Sequence, residues 1–152
     1  MKISSAGLDL LKRSEGFRSR VYHDVAGLPT IGYGHRIVPP EAFPAGISED
    51  RAKQILGNDL LQAERAIERL VKVPLAQGQF DALVDFAFNL GSGRLAASTL
   101  LKDLNAGRYD EAVQQLLLWD HAGAHECDAL QARRQAEAAL WRGQEAAAQV
   151  AA

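Results

Sequence analysis

Cysteine is almost absent from this chain, which limits the kinds of protein that it can be. Cys127 is the single cysteine among 152 residues, so no disulfide forms within the chain and the fold does not depend on an oxidising compartment. The H-E-x-x-H and paired C-x-x-C patterns of common zinc sites are also missing. The sequence therefore gives no strong sign of a disulfide scaffold or of a structural metal.

Long apolar runs and an excess of one charge are absent as well. No segment approaches the roughly 20 apolar residues that a membrane-spanning helix requires. Asp9 and Lys12 interrupt the apolar positions near the N-terminus, which lacks the continuous centre of a signal peptide. We therefore expect a protein held in the cytoplasm, without direct membrane insertion. The 17 basic and 19 acidic residues give a formal charge of −2, so no nucleic-acid partner is expected.

The composition is that of one globular domain with a substantial core: 47% of the residues are hydrophobic and 24% are charged. Apolar residues at helical spacing and capping residues predict several helices. These cover residues 4–14, about 49–71, 80–91, a segment after Ser98, 109–119 and about 129–141. Residues 18–38 instead predict a small antiparallel sheet, with an extended strand over 30–35.

This order of elements predicts an α+β, predominantly α-helical fold with two lobes. We expect a single domain over residues 1–152, with a mixed N-terminal lobe over about 13–60 and a helical C-terminal lobe over about 72–145. The helix at about 49–71 would connect the lobes. A cleft between them is the expected site, since substrates commonly lie at such junctions.

The stretch from residue 15 to residue 35, EGFRSRVYHDVAGLPTIGYGH, carries the residues most suited to chemistry. Glu15 extends the apolar stripe of the first helix, and desolvation there raises the pKa of a carboxyl toward that of a general acid. Asp24 lies in a turn and Thr30 in the strand that follows. Two carboxylates and a hydroxyl on separate local elements suit hydrolysis of a glycosidic bond, which needs an acid on one side and a base or nucleophile on the other. Gly34 would permit close approach of a sugar chain.

The pattern E-x8-D-x5-T, followed by I-G-Y-G-H, resembles the catalytic signature of the phage-type lysozymes, the muramidase endolysins of glycoside hydrolase family 24. Residues 88–91 resemble the end of that family's central helix, and residues 132–143 resemble its C-terminal helix. The resemblance extends from about residue 4 to about residue 143 and implies a lysozyme-like fold.

The resemblance also implies an activity and its residues. The expected reaction is hydrolysis of the β-1,4 bond between N-acetylmuramic acid and N-acetylglucosamine in peptidoglycan, with lysis of the host cell. Glu15 would be the general acid, with Asp24 and Thr30 assisting attack by water. Phe88, Asn89 and Ser98 would line the sugar cleft. No cofactor is needed, because the carboxylates supply the proton chemistry. We expect a monomer that reaches the cell wall after a holin has permeabilised the membrane.

Several of these residues also have plain structural interpretations. Asp24 is a good turn former, and Thr30 has ordinary β-propensity. His35 is expected to pair with a buried carboxylate, of which Asp59 is one example. Arg133 and Arg134 precede Glu137 on one predicted helix, so surface ion pairs explain them.

Other function classes were weighed against hydrolysis of a sugar bond. In the stretch HAGAHEC, residues 121–127, the side chains of His121, His125, Glu126 and Cys127 could hold zinc if they shared one helix face, as in a zinc-dependent amidase. An inactive wall-binding module would have lost a carboxylate, but both are present. A DNA-binding regulator would carry a basic stripe, which the sequence lacks.

Overall fold

The computed structural model describes residues 1–24, 26–122 and 125–143. In chain order its elements are α1 (Ser5–Glu15), β1 (Arg18–His23), β2 (Pro29–Gly32), β3 (His35–Arg36), α2 (Glu49–Leu70), α3 (Gln77–Leu90), α4 (Ser92–Ala96), α5 (Thr99–Asn105), α6 (Tyr109–Leu117), β4 (His121–Ala122), β5 (His125–Glu126) and α7 (Asp128–Trp141). The predicted α+β, mainly helical fold is confirmed. Sequence reasoning missed α4 and the β4–β5 pair.

The chain divides into two compact units. The first comprises Leu11–Gln62, and the second comprises Met1–Leu10 together with the chain from Ala63 onward. Residues 144 and 145, the end of the predicted helical lobe, lie outside the described residues. None of the helices in the described ranges has both the length and the apolarity to cross a bilayer.

The first unit contains the predicted sheet, whose strands are antiparallel in the order β1-β2-β3. The expectation of one continuous strand over residues 30–35 was wrong. The chain turns after Gly32, and β3 begins only at His35. Gly32 and Gly34 adopt φ values of 66° and 68°. This left-handed conformation is easily adopted by glycine and reverses the chain within the motif.

Serine side chains cap the starts of α1 and α2. The Ser4 hydroxyl accepts a hydrogen bond from the Gly7 amide at 3.3 Å, at the start of α1. The Ser48 hydroxyl accepts one from the Arg51 amide at 3.1 Å, at the start of α2. Each serine satisfies an amide that has no partner inside the helix. At its other end, α1 stops at Glu15, so this carboxylate lies in the last turn of the helix.

The second unit is built around α3, in which every residue from Phe80 to Ala87 is buried. This helix packs against α7, while α5 packs against α6. At Gly78 a Cβ atom would collide with the carbonyl oxygen of Leu140, so glycine allows the two helix backbones to approach closely. Phe86 meets Trp119 edge to face, with ring centroids 5.5 Å apart.

The arginine pair on α7 corrects a prediction from the sequence. Arg134 does pair with Glu137, with 2.8 Å between Nη2 and Oε1, but both side chains are fully buried. Arg133 instead donates to Asp85 on α3 through Nε and Nη2, at 2.9 Å each. These pairs are therefore not surface pairs, because the arginine-bearing face of α7 lies against α3. Removing one partner of such a buried pair costs far more than removing a surface charge.

Candidate active site

Glu15 ends α1 one turn after Leu11, a residue with no exposed surface. Its own side chain is only partly buried, so the expected desolvation of the carboxyl is partial. The backbone of Gly34 lies directly against it. A Cβ atom at position 34 would stand 2.8 Å from Glu15 Cδ and would collide with Oε2. Glycine at position 34 therefore leaves the space that the Glu15 carboxyl occupies.

Asp24 holds the turn between β1 and β2 together with one of its two carboxylate oxygens. Oδ1 accepts hydrogen bonds from the backbone amides of Ala26 and Leu28, at 2.9 Å each. The other oxygen, Oδ2, lies 4.0 Å from Nη2 of Arg36. The predicted turn-forming role is present. Because it uses Oδ1, it leaves Oδ2 directed toward the positive charge of Arg36 rather than toward a backbone amide.

Thr30 lies on the central strand, β2, directly opposite Tyr22 of β1 and Arg36 of β3. Its side chain is buried, and its hydroxyl donates a hydrogen bond to the carbonyl oxygen of Leu28 at 2.9 Å. With its proton used in this way, the hydroxyl can interact with a further group only as an acceptor. A water molecule that presents an O–H bond is one such group.

Tyr22 lies within electrostatic range of both Glu15 and Asp24, and sequence reasoning gave it no role. Burial raises the pKa of its phenol, the negative charge of Glu15 raises it further, Arg18 lowers it and Asp24 raises it. Both carboxylates therefore act on one hydroxyl group. The pairing of Tyr22 with Thr30 depends on the strand register, which shifts between Arg18 and Tyr22. No sequence pattern reveals such a shift.

His35 has the structural role that the sequence predicted, and Asp59 is its partner. Nδ1 of the imidazole lies 2.7 Å from Asp59 Oδ2 on α2, and Nε2 lies 3.0 Å from Glu41 Oε2. These contacts join β3 to α2 and to the loop between them. Because His35 directly follows Gly34, these two contacts also fix the position of the turn that faces Glu15.

The other predicted cleft residues belong to the second unit. Asn89, near the end of α3, accepts a hydrogen bond from Arg134 at 2.8 Å. Ser98 is buried and caps α5: its hydroxyl donates to the Leu95 carbonyl at 2.6 Å and accepts from the Leu101 amide at 3.1 Å. Phe88 is partly exposed. Asn89 and Ser98 thus each have a structural partner, and sugar binding by these three residues stays a prediction.

The stretch considered as a zinc site does not form the helix that this alternative required. His121 and Ala122 form β4, His125 and Glu126 form β5, and these strands pair antiparallel with exposed side chains. Residues 123 and 124 lie outside the described part of the chain. Within that part, no group of three or more histidine, cysteine, aspartate or glutamate side chains could hold a metal ion. Cys127 is a free, partly exposed thiol.

The comparisons with known proteins agree on one family. The family model described as phage lysozyme matches residues 12–137. The endolysin of Salmonella phage P22 is 43% identical over 144 residues, covering 93% of this chain and 98% of that protein. These matches span both the stretch from Glu15 to His35 and the helices of the second unit.

Solved structures agree with the sequence comparison. A crystal structure of a P22 lysozyme mutant has a TM-score of 0.79 at 42% identity, covering 93% of this chain and 99% of that one. The muramidase domain of SpmX from Asticaccaulis excentricus has a TM-score of 0.84 at 37% identity, covering 92% of this chain and 97% of that one. Together with the family match over residues 12–137, these likenesses show that the chain belongs to the phage lysozyme family and is a glycoside hydrolase.

Proposed function

We propose that this chain is an endolysin that hydrolyses the β-1,4 bond between N-acetylmuramic acid and N-acetylglucosamine in peptidoglycan. The observation that carries the proposal is that Glu15, Asp24 and Thr30 lie in one compact unit, with the backbone of Gly34 packed against the Glu15 carboxyl. Glycosidases use two carboxyl groups close enough to act on one sugar from different directions. The muramidase and endolysin names of the similar proteins support this substrate.

Glu15 acts as the general acid in the proposed reaction. Its protonated carboxyl gives a proton to the glycosidic oxygen while the bond between that oxygen and the anomeric carbon breaks. The departing sugar leaves as a neutral alcohol, and Glu15 becomes a carboxylate. The close contact with Gly34 supports this role, because it limits the positions that the carboxyl can occupy.

Asp24 and Thr30 act on the attacking water. As the anomeric carbon gains positive charge, the negative charge of Asp24 stabilises it, and Oδ2 accepts a proton from the water that attacks. Thr30 accepts a hydrogen bond from the same water, since its own proton is donated to Leu28. Two backbone amides fix the Asp24 carboxylate, so little reorganisation is needed during the reaction.

The test is release of reducing ends from purified peptidoglycan by matched variants. Glu15→Gln removes the acidic proton while keeping side-chain size, so the rate should fall by about 10²–10⁴-fold with folding unchanged. Asp24→Asn should also lose most activity, because it keeps an oxygen for the turn but removes the charge. Glu111→Gln, at an exposed position on α6, is the control and should retain full activity.

The same assay separates a hydrolase from an inactive wall-binding module. Wild-type protein that binds peptidoglycan but releases no reducing ends would favour the module. Glu15→Gln activity within threefold of wild type would show that Glu15 is not the acid. Peptide cleavage without sugar cleavage would support an amidase instead.

We further propose that the enzyme acts as a monomer and depends on a holin or another agent to cross the inner membrane. The endolysin names of the similar proteins support the second proposal, because the cell wall lies outside the inner membrane. The residues near the start of the sequence have contacts within the second unit. The amides of Ile3 and Ser4 donate to Glu64 and Asp81 at 2.7 and 2.9 Å. In the folded state these residues are therefore occupied by contacts with the protein itself.

A further inference from the structure

Tyr22 lies at an irregular point of the sheet, opposite Thr30 of the proposed site. Arg18 pairs with Gly32 and Tyr22 pairs with Thr30, so four steps along β1 match only two steps along β2. Such irregularities re-aim side chains and are frequent beside active sites. Because directly opposite residues of an antiparallel pair share one face of a sheet, Tyr22 and Thr30 project to the same side.

The hydroxyl of Tyr22 differs from the other tyrosine hydroxyls. Tyr33 donates to Glu49 at 2.7 Å, and Tyr109 donates to the Pro74 carbonyl at 2.6 Å. Among the residues that the structure describes, no acceptor receives a hydrogen bond from Tyr22, although its side chain is partly buried. The phenol of a buried tyrosine usually finds a partner. Arg18 holds the ring itself, with its guanidinium carbon 4.7 Å from the ring centroid.

We propose that Tyr22 is a further substrate-contacting residue, whose phenol donates a hydrogen bond to the sugar held between Glu15 and Asp24. The inference rests on the proposed function of this site. The ionised Asp24 carboxylate only accepts hydrogen bonds, and Glu15 gives its proton to the glycosidic oxygen, so a further sugar oxygen at this place needs a separate donor. A phenol supplies that donor.

Burial, with a smaller contribution from nearby charges, raises the pKa of the Tyr22 phenol above its ordinary value. The negative charges of Glu15 on α1 and Asp24 in the turn both disfavour the phenolate. Arg18, on β1 with Tyr22, favours the phenolate, but its effect is smaller than that of burial and smaller than that of Glu15. Arg36 on β3 lies beside Asp24 and partly offsets its charge. The net effect raises the pKa of Tyr22 and preserves the donor.

Tyr22→Phe tests the inference, because it removes one O–H group and keeps the ring that packs on Arg18. We expect kcat/KM on peptidoglycan to fall about tenfold, the effect of one hydrogen bond made to the substrate. Urea unfolding should be unchanged. Tyr109→Phe is the matched control: it removes a hydroxyl bonded inside the second unit and should leave kcat/KM at the wild-type value.

A second measurement covers the case in which Tyr22→Phe disturbs the fold. Replacement of Tyr22 by 3-fluorotyrosine keeps its shape but makes the phenol more acidic. If the neutral hydroxyl donates to the sugar, binding of the inactive Glu15→Gln protein to peptidoglycan should weaken at a lower alkaline pH when position 22 carries 3-fluorotyrosine. Identical pH dependence of binding with tyrosine and 3-fluorotyrosine, or a correctly folded Tyr22→Phe protein with kcat/KM within twofold of wild type, would overturn the inference.

Glu15→Gln in the same assay distinguishes failure of the Tyr22 inference from failure of the proposed function. An inactive Glu15→Gln together with a fully active Tyr22→Phe would remove Tyr22 from the site and leave the proposed function intact. An active Glu15→Gln would instead remove the proposed acid, whatever Tyr22 does.

Discussion

Asp24 illustrates how one residue combines a structural and a chemical task. Its Oδ1 atom accepts two backbone amides and closes the turn, while Oδ2 lies beside Arg36. The bonds at Oδ1 fix the carboxylate without using Oδ2. A residue that fits the local backbone is thereby pre-oriented for the reaction that we propose, which reduces the cost of organising the site.

Gly34 is the residue at which a small change should separate activity from stability. Gly34→Ala places a Cβ atom against the Glu15 carboxyl and forces an L-residue into φ 68°. We expect the backbone conformation to cost about 1–2 kcal/mol of unfolding free energy. Displacement of the Glu15 carboxyl should in addition lower the rate of peptidoglycan hydrolysis by at least about tenfold, because a small misplacement of a catalytic group is costly.

Gly107→Ala is the control for this prediction. Its φ is 81°, and a Cβ atom there would meet nothing within 4 Å. Urea denaturation should show a similar loss of stability for both variants, whereas only Gly34→Ala should lose activity per folded molecule. Equal specific activities for the two alanine variants would show that the contact with Glu15 is unimportant.

At the scale of elements, His35 links β3, the following loop and α2 through two carboxylates. Burial lowers the pKa of His35, but the hydrogen bonds to Asp59 and Glu41 outweigh it and the pKa is raised. The Val38 amide, with a smaller contribution from His35, lowers the pKa of Glu41. Burial raises the pKa of Asp59 despite the histidine. The positive charge of protonated His35 thus offsets the negative charges of Glu41 and Asp59.

These shifts predict the pH dependence of stability. A raised histidine pKa means that the folded protein holds the proton more tightly, so the stabilisation is complete below about pH 6.5 and is lost as the pH rises through the folded pKa. Asp59 then keeps its charge opposite a neutral ring. Toward acid the effect also declines, as Glu41 and Asp59 become protonated. We expect His35→Asn to cost about 1.5–3 kcal/mol near pH 5.5, and less at alkaline pH.

Urea denaturation of wild type and His35→Asn at several pH values measures this difference. His121→Asn is the control, since His121 contacts Asp120 at 2.7 Å but its side chain is 49% exposed. Solvent screens such a pair, so its removal should cost about 0–1 kcal/mol. A His35→Asn penalty that stays constant between acid and alkaline pH would contradict the proton-linked stabilisation.

At the scale of the whole molecule, the described N-terminal residues are part of the folded second unit. The terminal amine contacts Glu68 at 2.8 Å, and the amides of Ile3 and Ser4 bind acidic side chains of the second unit. Asp9 and Lys12 add charges within the same segment. The terminal amine and the amides of Ile3 and Ser4 therefore contribute polar contacts to the folded second unit.

From the proposed dependence on a holin, we expect the 152-residue chain, expressed in a Gram-negative cell, to accumulate in the cytoplasm without lysing the culture. Chloroform or a co-expressed holin should then cause rapid lysis, followed as loss of turbidity. Glu15→Gln should fail to lyse permeabilised cells, which separates wall hydrolysis from membrane damage. Lysis on expression alone, prevented by an inhibitor of secretion, would show that the protein crosses the membrane by itself.

Local features of the sequence determined the elements and much of the candidate site. Ser4 and Ser48 cap α1 and α2, and Gly16 follows the last residue of α1. Glu15, Asp24 and Thr30 fall within 16 consecutive residues, so a helix end, a turn and a strand hold them in one unit. Caps and turns are decided by residues next to each other in the chain, which is why their pattern can be read directly.

Only the tertiary structure decided which of these residues face one another. Spacing along α7 paired Arg133 with Glu137, but packing against α3 buried the arginine and gave it Asp85, 48 residues away. A shift in strand register placed Tyr22 opposite Thr30. Register and helix contacts depend on the packing and burial of several segments at once. No single segment carries that information, so the partners of Tyr22 and Arg133 were fixed by the folded chain.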